Sequence, residues 1–160
     1  TECAGVGGAK AVRDTVVNNK VLLYICGNNG ETTDNTTIKT VQNYIDPNKN
    51  GDGSGTAPIG AICEVFGAGT KAVNITGTVE LDNTQSADAT LVCIKNAVTE
   101  YFSKINFKTT ELSYAKLLNI AISCEGVADI TGFKINNGYK NLTCNETEIF
   151  ILNIFNMDSY

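Results

Sequence analysis

An α+β fold of two small, stacked helix-on-sheet units with mainly antiparallel sheets is predicted by three observations. Hydrophobic periodicity alternates between two and about 3.6 along the chain, the order of elements falls into two groups, and a short motif near the start recurs near the end. The expected order is strand, strand, helix, strand over residues 1–68, then strand, helix, helix, strand, strand over 69–160.

In the first unit, KAVRD and KVLLYICG are β-like runs with Val17, Asn18 and Asn19 between them. Paired asparagines tolerate left-handed backbone, so a hairpin is expected. In TTIKTVQNYI, Ile38, Val41 and Ile45 recur at spacings of three and four, which predicts a short amphipathic helix capped by Asp34 or Asn35. That helix ends by Asp46, because the residue before Pro47 is pushed out of the helical region. A glycine-rich loop follows, then the apolar run AICEVFG.

The second unit opens with KAVNITGTVEL, in which Val73, Ile75, Val79 and Leu81 alternate with polar residues as in a half-buried strand. From Ser86 to Ile105 the period becomes helical, with Leu91, Ile94, Val98, Tyr101 or Phe102, and Ile105 on one stripe. A further helix is expected in ELSYAKLLNIAIS, apolar enough to be buried on more than one side. A strand in CEGVADITGFKI, a turn at NNG and a very apolar strand in TEIFILNIFN complete the unit. The last strand needs cover on both faces, so it is either central in a sheet or meets another subunit with its outer side.

The recurring motif is Cys-x-Gly-Val. ECAGVGGAKAV pairs with SCEGVADITGF, matching Cys3 with Cys124, Gly5 with Gly126 and Val6 with Val127, and a hairpin is expected after each copy. The second copy directly follows a helix. By analogy a helix is expected to end just before the first copy, in a longer protein, and the two units are expected to share a core.

Composition removes several function classes. The 160 residues are 42% apolar and 18% charged, as in a folded protein, and carry a net charge of -5. The 12 Lys and Arg are scattered, so no nucleic-acid partner is expected. No apolar run reaches the roughly 18 residues that span a bilayer, and no membrane partner is expected. Histidine is absent, which removes the commonest general base and nitrogen ligand, and no enzyme activity or cofactor is expected. The six cysteines lack C-x-x-C spacing; three bridges can be drawn, but reduced and mostly buried thiols are expected.

One stretch imitates a metal site. In DPNKNG, residues Asp46, Asn48, Asn50 and Gly51 match the opening of a calcium loop, which makes a calcium-dependent binding module the alternative function. The twelfth position, which needs a bidentate carboxylate, is Ala57, and Pro58 follows where a helix is required. The competing reading is a glycine-rich bend, in which Gly51, Gly53 and Gly55 take unusual backbone angles and Asp46 and Asn48 bond to nearby amides. No catalytic, cofactor or metal residue is assigned.

The stretch NYIDPNKNGDGSGTAPIGA resembles the signature of the bacteriophage baseplate J-like protein family. Tyr44, Ile45, Asp46 and Pro47 lead through Gly53 and Gly55 to Ala57, Pro58, Ile59, Gly60 and Ala61. The Cys-x-Gly-Val turn, KAVNITGTVEL and LSYAKLLNIAISCEGV follow the family's order, and the resemblance is to the C-terminal part of a member. It implies a structural component of a contractile tail, located in the virion baseplate and assembled in the bacterial cytoplasm. Its implied partners are other baseplate wedge and hub subunits, with self-association possible in principle, and no catalytic residues are carried over.

Overall fold

The computed structural model describes residues 3–160. Their order is β1 (Val6–Arg13), β2 (Lys20–Gly27), a 3-10 turn (Asn28–Gly30), α1 (Asn35–Ile45), β3 (Ile62–Gly67), β4 (Gly69–Leu81), α2 (Ala87–Ile105), β5 (Glu111–Leu112), α3 (Tyr114–Ile122), β6 (Val127–Ile135), β7 (Leu142–Thr143) and β8 (Glu148–Ser159). The α+β class and the order of helices are as the sequence predicts. The small β5–β7 ribbon is additional, and it takes Glu111 and Leu112 out of the expected third helix.

Two three-stranded sheets organise the chain, in the orders β1-β2-β3 and β6-β4-β8. Each is mixed: the central strand pairs antiparallel with one neighbour and parallel with the other, so three of the five pairings, with the β5–β7 ribbon, are antiparallel. The expected hairpin after Gly5 is present as β1–β2. Asp14 Oδ1 accepts the Val16 and Val17 amides at 2.8 and 3.1 Å, and Asn19 takes a φ of 60° to close the turn.

The hairpin expected after Gly126 does not form, because β4 inserts between β6 and β8. The Asn136–Asn137 turn is tight, with φ of 47° and 62° and reciprocal 2.9 Å bonds between Ile135 and Gly138. It closes only an isolated bridge between Ile135 and Gly138, and the chain then leaves through β7. Of the two places open to TEIFILNIFN, the structure selects the edge.

Local signals explain the helices. Asp34 caps α1 by accepting the Thr37 amide, Ser86 caps α2 through Ala89 and Ser113 caps α3 through Lys116, each of a kind that contributes about 1 kcal/mol. The α2 stripe buries Thr90, Ile94, Val98 and Phe102. α3 buries only Leu117 and Ala121, one i, i+4 pair, and its far side is solvent; the expected burial on several sides is not found.

The expected shared core is replaced by two clusters. Ile25, Val41 and Val65 form the small one under α1, whereas fifteen buried residues from β4, α2, α3, β6 and β8 and their connections form the large one. At the junction Ala68 donates to Ile25 O at 2.8 Å on the first sheet, and the next residue, Gly69, donates to Thr147 O at 3.0 Å beside the second; elsewhere Asn106 reaches Gly30 O at 3.3 Å and Lys10 pairs with Glu146 at 3.6 Å across the two units.

Candidate assembly surfaces and the capped strand edges

Two of the four outer strands, β3 and β8, run parallel to their central strand, and each is capped by a side-chain amide from a preceding helix region. Gln42 of α1 donates from Nε2 to Cys63 O at 2.9 Å and accepts the Val65 amide on Oε1 at 2.8 Å. Asn106, just after α2, accepts the Phe150 amide at 2.9 Å and lies 3.5 Å from Phe150 O. Each amide thus satisfies strand groups as another strand would, on surfaces where unpaired groups invite pairing with a second chain. Both residues are buried.

A third amide, Asn136, extends β6 beyond its end. Its Oδ1 accepts the Asn74 amide at 2.8 Å and its Nδ2 donates to Ala72 O at 3.1 Å, along the part of β4 that β6 does not reach.

Asp46 belongs to the same cap on β3. Its side chain is 2% exposed, and Oδ2 accepts the Cys63 amide at 3.0 Å and the Gly51 amide at 3.2 Å. The three calcium-loop residues have different hydrogen-bond partners. Asn48 donates to Asp52 at 2.8 Å and to Ser54 at 3.2 Å, while Asn50 accepts the Asp52 amide. Ser54 and Asn48 hydrogen bonds hold the Asp52 carboxyl at about 2. Among the described residues, no group of three or more His, Cys, Asp or Glu side chains converges as a metal site would require.

The glycines of the loop act differently from one another. Gly51 and Gly53 take φ of 66° and 79°, as expected, but Gly55 is required for close approach: a Cβ there would lie 2.1 Å from Ile45 O. This approach lets Thr56 N and Ala57 N donate to Tyr44 O and Ile45 O at 3.0 and 2.9 Å, which satisfies the last carbonyls of α1. Asp46 bonds to amides, as one reading expected, whereas Asn48 bonds to side chains.

The Cys-x-Gly-Val copies are the same turn. Val6 N reaches Cys3 O at 3.4 Å and Val127 N reaches Cys124 O at 3.3 Å, with φ of 86° at Gly5 and 88° at Gly126. Each glycine rests on a threonine in the first turn or so of a helix, Thr37 of α1 and Thr90 of α2. Sheet order completes the correspondence. β1, β2 and β3 occupy the places of β6, β4 and β8, although the strand carrying the turn comes first in one unit and fourth among the main elements of the other.

Charge is arranged along the first sheet. Lys20 sits 2.8 Å from Glu64 and 3.7 Å from Asp14, and Lys49 is 3.1 Å from Glu64. Hydrogen bonds from Lys20 and then Lys49 hold the Glu64 carboxyl below the usual range. All six cysteines are free thiols, as expected, with Cys26, Cys63 and Cys124 buried. Desolvation, with Cys93 beside it, pushes the Cys124 thiol up to about 12.

Apolar side chains remain uncovered. On β8, Phe150 and Met157 point into the core, while Ile154 is 49% exposed on the opposite side. Tyr160, Val92, Tyr139 and Ile59 are also exposed. Sequence reasoning did not find the amide caps, because the groups they satisfy lie 21 to 64 residues away in the chain.

Comparison with known proteins adds to this geometry. The family model for the Baseplate J-like protein C-terminal domain matches residues 73–155, most of the second unit; the glycine-rich loop lies outside that stretch. Over 148 residues the chain is 32% identical to the protein YqbT of Bacillus subtilis (strain 168), covering 92% of this chain and 42% of that protein. It is 31% identical, with the same coverage, to the phage-like element PBSX protein XkdT of the same strain. The chain therefore spans less than half the length of these relatives. More than half of its residues match the family model, and the chain belongs to the Baseplate J-like protein family, of which it carries the C-terminal domain.

Proposed function

We propose that this chain is a structural component of a contractile-tail baseplate and acts through contacts with neighbouring wedge and hub subunits and with further copies of itself. The family match over the second unit is the observation that carries the reading. The relative named as a phage-like element protein supports a tail of prophage origin. Ile154 on the outer side of β8 supports subunit contact, since an apolar strand face gains from cover. In this role the domain does mechanical rather than catalytic work, and subunit interfaces rearrange as rigid bodies when the tail contracts. Assembly takes place in the bacterial cytoplasm before release.

We further read the junction between Ala68 and Gly69 as the boundary of two folding units, 1–68 and 69–160. The separate apolar clusters and the transfer of hydrogen bonding from one sheet to the other within two residues support it.

Labelling provides the test. The full-length protein carrying a C-terminal tag is expressed with its natural tail genes, and particles are imaged with a gold-conjugated tag antibody. Label at the distal end of the tail, together with crosslinks from the second unit to other tail proteins, is expected. Label along the tube or on the head, or a tagged protein absent from assembled particles, overturns the reading.

A further inference from the structure

The repeat leaves one place filled in the second unit and open in the first. α3 ends directly before the Cys124 turn and packs between α2 and β6, burying Leu117 and Ala121 completely. Beneath this part of the unit, Ile130 of β6 is 8% exposed. In the first unit the corresponding place, between α1 and β1, is a groove of about 780 Å³. Val41, Tyr44 and Ile45 of α1 form one wall, and Leu23 and Ile25 of β2 form part of the apolar floor.

The register of the repeat identifies the open position. Superposing Cys3 on Cys124 places Ala9 on Ile130, and Ala9 is exposed on the groove lining. Small residues on β1 leave more room than Ile130 leaves on β6. Tyr44, on the α1 wall, is 40% exposed although it lies beside the apolar cluster of Ile25, Val41 and Val65. A groove this apolar gains by burying a helix face at roughly 25 cal/mol per Å².

We propose that an amphipathic helix from the polypeptide immediately preceding Thr1 in the full-length protein lies in this groove, as α3 lies on α2 and β6. Its buried positions are set by α3. Leu117 and Ala121 stand seven and three residues before Cys124, so small or apolar residues are required seven and three residues before Cys3. The relatives, more than twice as long as the stretch they share with this chain, have polypeptide from which such a helix can come. This inference concerns how the domain is completed and stands independently of the assembly role.

The test compares the 160-residue chain with the same chain extended by its natural preceding residues, about twenty of them, enough for a helix and its cap. The extended form is expected to gain circular-dichroism signal for about nine helical residues, the length of α3, and to protect the Tyr44 ring from solvent. Ala9→Lys, on the exposed groove lining, is expected to leave the shorter chain folded and to remove both gains in the longer one. Val16→Lys, at an 88% exposed position in the hairpin loop, is expected to change neither. No added helical signal on extension, or a gain that Ala9→Lys leaves intact, overturns the proposal. So does a concentration-dependent dimer of both forms that Ala9→Lys dissolves, since a second copy then fills the groove.

Discussion

Gln42 lies alongside Val65 as a strand residue would: its Oε1 accepts the Val65 amide at 2.8 Å, while its Nε2 donates to Cys63 O at 2.9 Å and to Asp46 O at 2.6 Å. Gln42→Leu keeps the volume and removes all three bonds. Leaving these buried groups without partners is expected to cost roughly 2–4 kcal/mol, read from urea unfolding. Gln42→Glu keeps an acceptor for Val65 but brings a carboxylate against two carbonyl oxygens, so it is expected to be no better than leucine. A glutamate variant as stable as the parent would show that the amide nitrogen contributes nothing to the cap.

Asp46→Asn tests the two meanings of the loop against each other. The Asp46 carboxylate accepts the Cys63 and Gly51 amides from one oxygen, and an amide side chain accepts less strongly than a carboxylate. A loss of about 1–3 kcal/mol is expected. The loss is expected to be the same with millimolar calcium and with chelator, because the cap needs no ion. A calcium-dependent melting shift in the parent that vanishes in the variant would return the loop to the metal reading.

The reach of sequence reasoning follows from the range of each interaction. Asp34, Ser86 and Ser113 cap helices through amides three residues away, so caps and periods could be read locally. The repeat was legible too, because Gly5 and Gly126 occupy a conformation that favours glycine. Strand order was not. Ile135, Asn136, Asn137 and Gly138 do form the expected turn, but β8 pairs with β4, some eighty residues earlier in the chain, and no local signal in TEIFILNIFN specifies that partner. Asp46 was expected to bond to nearby amides, which the Gly51 contact fits, but its second partner, the Cys63 amide, is 17 residues downstream and had no local signal.

The two turn glycines are predicted to tolerate alanine unequally. Both variants place a Cβ at positive φ, which costs about 1–2 kcal/mol. At Gly5 the new methyl would meet Thr37 at 3.4 Å, an ordinary contact, but at Gly126 it would lie 2.2 Å from Thr90 Oγ1. Gly126→Ala is therefore expected to be the more destabilising by at least about 1 kcal/mol, the scale of overpacking a buried site. The Thr90 hydroxyl is itself buried without a hydrogen-bond partner. Thr90→Val is accordingly expected to be neutral or stabilising, and a loss above about 1 kcal/mol in thermal melts would show that the hydroxyl has a partner in solution.

Alkaline stability provides a separate check on the large core. Desolvation raises the folded-state pKa of Cys124 from an ordinary 9.0 to about 12. A group raised in this way contributes stability that is present below pH 9 and is lost as pH rises towards 12, because the unfolded chain releases its proton first. The unfolding free energy is expected to fall by up to roughly 1.4 kcal/mol per pH unit across that window. Cys124→Ala, compared by slope rather than by absolute stability, is expected to flatten the profile. An unchanged slope in the variant would assign the alkaline loss to other groups.

Separating the units tests the boundary after Ala68. Fifteen buried residues support the sheet of β4, β6 and β8, against three for the sheet of β1, β2 and β3, and burial of apolar area is the main favourable term in folding. Residues 69–160 alone are therefore expected to melt cooperatively, and residues 1–68 alone are expected to be largely unfolded. At the cut Asn106 keeps Phe150, its bond at 2.9 Å, while the second unit gives up the Asn106 contact to Gly30 O at 3.3 Å, the Lys10–Glu146 pair at 3.6 Å and the packing of the Asn28–Gly30 turn on α2. Calorimetry of the two pieces checks both expectations. If 69–160 shows no transition, or melts only when 1–68 is added back, the junction is part of one cooperative core and the division of the chain there is wrong.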